Sequence, residues 1–239
     1  MTIIGLDSSG LTASVAIARD DTVVAEYSVN YKKTHSQTLV PMLDEITRMT
    51  ELDLSTVDAV AISKGPGSFT GLRIGSATAK GLGAALNVPI VEIPTTEALA
   101  FNMYGTSRIV CPIMDAKREQ VYTGIYEFNT DGNEEVLFTI EEEMAVPIEE
   151  IVEKINSYER PVVFLGDGVP VFKEKLQELV TVPMIFASPD KCLQSAGSVA
   201  VLGMKYFKEG KTVPASQHAP EYLRLSQAER ERNEALGEG

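Results

Sequence analysis

The apolar positions of the first hundred residues alternate between short continuous runs and helical repeats. The short runs predict strands at residues 2–6, 13–18, 22–27, 57–62 and 89–93. Between residues 36 and 49, apolar side chains recur every three or four positions, which is the spacing of one face of an amphipathic helix. Two more helices are predicted, one ending near residue 86 and one at residues 95–104 with Thr95 or Thr96 as its N-cap.

The same order of elements begins again after Gly105. A run at residues 109–114 leads to Asp115, just as the first run leads to Asp7, and each is followed by a hairpin. We therefore expect an internally duplicated α/β protein with two lobes, residues 1–105 and 106–239, whose chain end returns to the first lobe. The remaining pattern predicts strands at residues 121–128, 135–140, 161–165 and 184–187, and helices at residues 147–155, 171–179 and 196–208.

A glycine-rich elbow joins the strand at residues 57–62 to the helix after it. Gly65 and Gly67 can adopt backbone angles closed to other residues, and Ser68 or Thr70 can cap the helix. A helix N-terminus offers free N–H groups and a positive dipole end, which suits an anion or a partner. The alternative is a turn that only packs well. The elbow reads Ser63-Lys64-Gly65-Pro66-Gly67-Ser68-Phe69-Thr70-Gly71-Leu72-Arg73-Ile74-Gly75.

The helix that follows the elbow is rich in small residues. Gly71, Gly75 and Ala79 fall at four-residue spacing, so another helix could approach this backbone closely. Glycine inside a helix costs about 1 kcal/mol relative to alanine, so several glycines need a compensating contact. Packing on the protein's own sheet accounts for one face of the helix. Small residues on more than one side favour a partner helix as well.

Composition and charge narrow the class of protein. The chain has 239 residues, of which 44% are hydrophobic, and a formal net charge of −13. No stripe of Lys and Arg is present to neutralise phosphates, so direct RNA or DNA binding by this chain alone is disfavoured. The first residues lack the basic head of a signal peptide, and no apolar run reaches membrane-spanning length, so we expect a cytoplasmic protein without a membrane contact. Cys111 and Cys192 are expected to be reduced thiols.

Candidate catalytic groups are few. His35 lies just before a predicted helix, where it can bond a backbone group, and His218 lies in a Pro-flanked stretch that fits a surface position. No base is paired with Ser68 in a recognisable arrangement, and the phosphate-binding pattern GxxxxGK[ST] is absent. We expect no catalytic residue. An ATP-dependent small-molecule kinase and a peptidase stay open as alternatives.

Several motifs in combination resemble one family. They look like the TsaB family, also called YeaZ, and the resemblance covers essentially the whole chain. It implies the two-lobed fold of the actin, Hsp70 and sugar-kinase ATPase (ASKHA) superfamily, with duplicated ribonuclease H-like lobes. The motifs are Gly5-Leu6-Asp7-Ser8-Ser9, His35-Ser36-Gln37, the elbow, Asp115-Ala116-Lys117-Arg118 and Pro220-Glu221-Tyr222-Leu223-Arg224.

The resemblance also implies a function. Family members take part in making threonylcarbamoyladenosine (t6A) in tRNA, as the heterodimer partner of the catalytic paralogue TsaD, with the ATPase TsaE joining them. For this chain it implies a non-catalytic activator and contact with tRNA only through the complex, while the choice between a homodimer and a monomer for the chain alone stays open. TsaD carries two metal-binding histidines that align with Thr95 and Leu99, so we expect no metal here. No intrinsic cofactor is expected, and ATP or ADP is expected at the interface of the complex.

Site residues follow from the resemblance in the same way. Asp7 and Ser8 are expected near a nucleotide, but Ser9 replaces the glycine that usually follows two residues after the Asp, which favours a structural role for Asp7. In the family, the helix at residues 36–49 and the elbow helix form the dimer surface, although the apolar stripe of the former also fits a core. The role of the tail, residues 227–239, stays open. The expected interface residues are Leu39, Leu43, Ile46, Gly71, Arg73, Ile74, Gly75, Thr78 and Ala79.

Overall fold

The first lobe is built on a five-stranded sheet in the order β3-β2-β1-β4-β5. The computed structural model describes residues 1–31, 33–132 and 134–224. The first three strands form an antiparallel meander, whereas β4 and β5 continue the sheet in parallel. These strands confirm the predicted runs. Their bounds are β1 (Thr2–Asp7), β2 (Ala13–Arg19), β3 (Thr22–Val29), β4 (Ala59–Gly65) and β5 (Ile90–Pro94).

Helices cover both faces of this sheet. The apolar stripe of α1 (His35–Met49) and the inner face of α2 (Phe69–Leu86) pack with Ile4, Ile17 and Ile62 in one core. A short 3₁₀ turn, Leu54–Thr56, leads into β4. The opposite face of the sheet is covered by α6 (Ala196–Lys208), together with α3 (Thr95–Phe101).

The second lobe repeats the strand order of the first. Its central strand β6 lies between β10, which is parallel to it, and β8, which is antiparallel, and β9 and β11 lie outside them. Two helices, α4 (Ile148–Ser157) and α5 (Val169–Leu179), pack on one face of this sheet. The strands are β6 (Ile109–Pro112), β7 (Met114–Asp115), β8 (Gln120–Asp131), β9 (Glu134–Pro147), β10 (Val162–Leu165) and β11 (Met184–Phe186).

Both sheets therefore show the ribonuclease H-like order, an antiparallel meander followed by two parallel strands. The duplication expected from the sequence is present, and the protein has the two-lobed actin-like ATPase fold. The expected lobe division at residues 105 and 106 separates the two sheets. The end of the chain lies on the first lobe: α6 packs on its sheet, and residues 213–222 contact β4 and β5.

The predicted helix caps and the state of the cysteines can be compared with the structure. Ser68 is the N-cap of α2 and accepts a hydrogen bond from Gly71 N. Thr95 and Thr96 do not cap α3, because the helix already begins at Thr95 and Pro94 precedes it. The two cysteines are free thiols, Cys111 buried and Cys192 partly exposed. Among the helices that the structure describes, none is long and apolar enough to cross a membrane.

Candidate functional site

A cleft of about 770 Å³ opens between the two lobes. On the first lobe it is lined by the loop after β1 and by the start of α2. On the second lobe it is lined by residues 114–117 and by Asp167, and the end of the described chain, residues 222–224, forms a further wall. Asp7 and Ser8, the residues that the resemblance placed near a nucleotide, do not line the cleft, although Ser9 of the same loop does.

Asp7 is sealed by its own neighbours. Its residue is 1% exposed, and one carboxylate oxygen accepts hydrogen bonds from Ser9 N at 2.9 Å and Ser9 Oγ at 2.7 Å. The other oxygen accepts from Ser63 Oγ at 2.5 Å. Burial raises the pKa of the Asp7 carboxyl, and these hydrogen bonds act in the opposite direction. Ser9, the residue in place of the usual glycine, thus holds the carboxylate within the first lobe.

Ser8 binds the elbow helix instead of facing the cleft. Its hydroxyl donates to Gly71 O at 2.9 Å, and the residue is 1% exposed. A Cβ on Gly71 would lie 2.0 Å from Ser8 O, and one on Gly75 would lie 2.3 Å from Ser8 Oγ. Both glycines are therefore required for the close approach of the β1 loop to α2. Asp7 and Ser8 do not fit direct contact with a nucleotide.

Polar groups on other walls of the cleft are less completely satisfied. His35 Nε2 lies 2.9 Å from Gly10 O, which agrees with the predicted backbone bond, while its Nδ1 is buried without a hydrogen-bond partner among the described residues. Across the cleft, burial raises the pKa of Asp167, and the nearby carboxylate of Asp115 adds to this effect. Asp115 is itself paired with Lys117.

Most of the expected interface residues lie inside the first lobe. The α1 stripe of Leu39, Leu43 and Ile46 is 1–6% exposed and belongs to the core. On α2, Ala79 is also fully buried, and Gly71 and Gly75 face the β1 loop. The expectation that these six residues form a partner surface is corrected: their small or apolar side chains are used to pack α1 and α2 on the protein's own sheet.

The outward face of α2 contains the other predicted interface residues. Arg73 is exposed, and Ile74 and Thr78 are partly exposed. Ala77 and Gly81, small residues that were not among the expected interface residues, are also exposed, and a Cβ on Gly81 would meet nothing within 4 Å. The sequence shows small residues on more than one side of this helix, but it does not show which side faces the protein's own sheet. On α1, Val40 is 56% and Met49 is 75% exposed.

The positions that align with the metal-binding histidines of TsaD are buried in α3. Thr95 is 0% and Leu99 is 1% exposed, and Leu99 packs in an apolar cluster at the junction of the lobes. Within residues 1–31, 33–132 and 134–224, no group of three or more His, Cys, Asp or Glu side chains is arranged to hold a metal ion.

A carboxylate from the second lobe binds the start of α3. Glu143 Oε1 accepts from Thr96 N at 2.9 Å and Thr96 Oγ1 at 2.8 Å, and Thr96 Oγ1 also lies 2.7 Å from the hydroxyl of Tyr126. Burial raises the pKa of Glu143 to about 7. This interlobe connection was not predicted, because it joins residues 47 positions apart in the sequence.

The end of the described chain forms a C-terminal strap, residues 213–224, across the first lobe. Val213 makes an isolated antiparallel bridge to Ile90 at the edge of the sheet. The predicted surface position of His218 is wrong: the residue is 1% exposed and its Nδ1 lies 2.7 Å from Glu92 Oε1. The hydrogen bond with His218 lowers the pKa of Glu92. The burial of His218 against β5 depends on its contact with Glu92, a residue 126 positions away in the sequence.

The fold and the cleft define a class: a two-lobed actin-like protein whose first loop is bonded to its own elbow. Comparison with known proteins narrows this class. A family model described as TsaD, tRNA N6-adenosine threonylcarbamoyltransferase, matches residues 22–232. The tRNA threonylcarbamoyladenosine biosynthesis protein TsaB of Bacillus subtilis (strain 168) is 32% identical over 229 residues, covering 96% of this chain and 96% of that protein.

Other relatives agree with this assignment. The protein of the same name from Escherichia coli (strain K12) is 29% identical and covers 94% of this chain and 95% of its own. Among solved structures, YeaZ from Pseudomonas aeruginosa superposes with a TM-score of 0.77 at 26% identity, covering 93% of this chain and 99% of that one. The chain belongs to the TsaB (YeaZ) family, within the wider group that the TsaD model describes.

Proposed function

We propose that this protein is a non-catalytic subunit in the formation of threonylcarbamoyladenosine in tRNA. It activates the catalytic paralogue TsaD by forming a heterodimer with it. The names of the relatives support the pathway. The observation that carries the non-catalytic role is the bonding of Asp7 by Ser9 and Ser63, and of Ser8 by Gly71.

This bonding argues against independent nucleotide turnover. A carboxylate that orders a nucleotide and its metal ion needs an oxygen facing the cleft, and both oxygens of Asp7 are used inside the lobe. Breaking these bonds would leave a buried carboxylate without partners, which costs about 1–3 kcal/mol or more. Any ATP or ADP used by the assembly is better placed at the interface between subunits than on Asp7 and Ser8.

The outer face of α2 is the proposed partner surface. Ala77 and Gly81 leave the backbone open to a second helix, and Arg73 lies at the edge of this face with its guanidinium 4.1 Å from the ring centre of Phe69. Val40 and Met49 on α1 supply exposed apolar side chains on the same lobe. TsaD would bind here, and a second copy of this chain would use the same face when TsaD is absent.

The remaining partners join through that heterodimer. TsaE would bind the assembled pair. With a net charge of −13, this chain alone is not suited to bind tRNA phosphates, so the affinity for tRNA would come from the partner.

The experiment is binding of purified TsaD from the same organism to variants of the outer α2 face, measured by titration calorimetry. Gly81→Leu and Ala77→Leu place a large side chain where close helix contact is proposed, and overpacking at such a contact typically costs about 1–3 kcal/mol. Affinity should fall about 5- to 150-fold. Circular dichroism should show folded protein, because a Cβ at residue 81 would meet no atom within 4 Å and Ala77 is exposed.

Gln177→Leu is the matched control, since residue 177 is an exposed polar position of α5 on the second lobe. It adds a leucine to a helix surface without touching α2, and its affinity for TsaD should equal that of the wild type. Unchanged binding of both α2 variants would refute the proposed surface. A stable metal content or nucleotide turnover by the isolated chain would refute the non-catalytic role separately.

A further inference from the structure

Three of the sequence motifs meet at one place in the fold. The elbow of the first lobe, the segment Asp115–Arg118 of the second lobe and the segment Pro220–Arg224 are far apart in sequence. Residues from all three line the cleft between the lobes. The interface proposed above uses the outer face of α2 and does not explain this meeting point.

On the first lobe, the strap is attached to the elbow by backbone and side-chain contacts. Glu221 N donates to Lys64 O at 2.7 Å, and the two side chains form an ion pair at 2.6 Å. A Cβ on Gly65 would lie 2.2 Å from Glu221 O, so the strap lies directly against the turn. The ring of Tyr222 stacks on Phe69, the first residue of α2, with a centroid distance of 4.3 Å.

Further back along the strap, two anchors hold it to the same lobe. Lys80 Nζ on α2 donates to His218 O at 2.9 Å and lies 3.4 Å from Ser216 O. The buried imidazole of His218 pairs with Glu92. Residues 213–222 are therefore fixed on the first lobe before the chain reaches the cleft.

On the second lobe, the strap ends on an unusual turn. Arg224 Nη1 donates to Ala116 O, and it lies 3.4 Å from Lys117 O. The three residues that follow Ala116 all have left-handed backbone angles: φ is 64° at Lys117, 55° at Arg118 and 58° at Glu119. Residues other than glycine rarely adopt this backbone conformation, so the turn needs contacts that stabilise it.

A further connection between the lobes lies away from the cleft. There, Thr96 of α3 bonds Glu143 and Tyr126 of the second lobe. None of these three residues lines the cleft. The lobes are thus joined at one side by α3, within the cleft by the Leu11 backbone and the Asp167 carboxylate, and at the mouth of the cleft by Arg224.

We infer that the strap acts as a clasp: it holds the two lobes together at one opening of the cleft, through the hydrogen bonds of Arg224 to the turn at residues 116–119. While Arg224 is bound, the second lobe is tied through Tyr222 and Glu221 to the start of α2. Release of Arg224 frees the turn and lets the cleft widen about the α3 connection. The clasp is thereby a conformational device that couples the cleft to the elbow helix.

The test measures both the turn and the opening in the full-length protein. Hydrogen exchange reports the turn, because Ala116 N bonds Gln120 O and Gln120 N bonds Lys117 O. Spin labels at Thr70→Cys and Val171→Cys, two exposed positions on opposite walls of the cleft, report the opening in a Cys192→Ser background. Arg224→Met should speed exchange at residues 115–120 about tenfold or more and shift the label distances upward.

Arg48→Met is the matched control. It also removes a guanidinium, but one that pairs with Glu45 within α1 and does not line the cleft, and it should leave exchange and distances unchanged. Two truncated chains repeat the test without a substitution. A chain ending at residue 223 should behave like Arg224→Met, and one ending at residue 226 should behave like the wild type. Wild-type exchange and distances in folded Arg224→Met and in the chain ending at residue 223 would overturn the clasp.

Discussion

The inward orientation of the first glycine stripe on α2 predicts opposite effects for two glycine-to-alanine changes on one helix. Gly71→Ala adds a methyl group whose carbon would lie 2.0 Å from the carbonyl oxygen of Ser8 and 3.3 Å from both His35 Cδ2 and Ser68 Cβ. Gly81→Ala adds the same methyl group where nothing lies within 4 Å. Both changes replace glycine by the best helix former.

The expected magnitudes follow from these surroundings. At residue 81 only the helix preference changes, so the free energy of unfolding should rise by about 0.5–1 kcal/mol. At residue 71 the added methyl group meets backbone, which cannot rotate away, and the β1 loop must shift. Overpacking of this kind costs about 1–3 kcal/mol. Residue 71 lies in the first turn of α2, where the gain in helix preference is small, so the net effect should be destabilisation of about 1–3 kcal/mol.

Urea unfolding followed by circular dichroism measures both changes. It should be run at two protein concentrations, so that a contribution of self-association is recognised. In a thermal melt of the same variants, each kcal/mol of change in the free energy of unfolding should move the midpoint by about 2–4 °C for a protein of this size. Equal stabilisation by Gly71→Ala and Gly81→Ala would mean that residue 71 faces open space, and it would refute the packing of the β1 loop on α2.

Two further changes test the buried carboxylates. Glu143→Gln keeps an acceptor for Thr96 but removes a carboxyl whose pKa is raised to about 7. The contribution of the protonated carboxyl to the free energy of unfolding is fully present below pH 4.5 and is lost as the pH rises through 7. The free energy of unfolding of the variant should therefore exceed that of the wild type by at most about 3 kcal/mol at pH 8 and equal it near pH 4.5. An equal difference at both pH values in urea unfolding would contradict this. Ser63→Ala removes a hydrogen-bond donor to the Asp7 carboxylate and so raises the pKa of Asp7 further. The free energy of unfolding should fall by about 1–3 kcal/mol, and this loss should grow as the pH rises. A loss that is independent of pH would exclude a charged Asp7.

The elements of the fold were predictable from the sequence because their periodicity is local. Alternating runs and the three- to four-residue spacing of α1 identify strands and helices, and the repeat of strand, Asp and hairpin identifies the duplication. The placement of α6 was not predictable in this way. Its residues follow the second lobe in sequence, and its apolar face matches the first sheet only once the chain has folded back.

The candidate site was predictable only in part for a related reason. A stripe of small residues at Gly71, Gly75 and Ala79 indicates close approach, but it does not say whether the approaching group is a partner helix or the protein's own loop. The bond from Ser8 to Gly71 decides this, and it joins residues 63 positions apart. The buried position of His218 depends likewise on Glu92, 126 positions away.

The central claim is that this chain activates a partner and performs no chemistry with Asp7. It is tested most directly by t6A formation on tRNA in a reconstituted assay containing TsaD, TsaE and a threonylcarbamoyl donor. Formation should depend on adding this chain. Asp7→Asn should support it within about threefold of the wild type, because asparagine keeps the shape of the side chain and an acceptor for Ser9, and its Nδ2 can donate to Ser63 Oγ. A loss of about 10²-fold or more with folded, TsaD-binding Asp7→Asn, the size expected for a catalytic acid or base, would contradict the account.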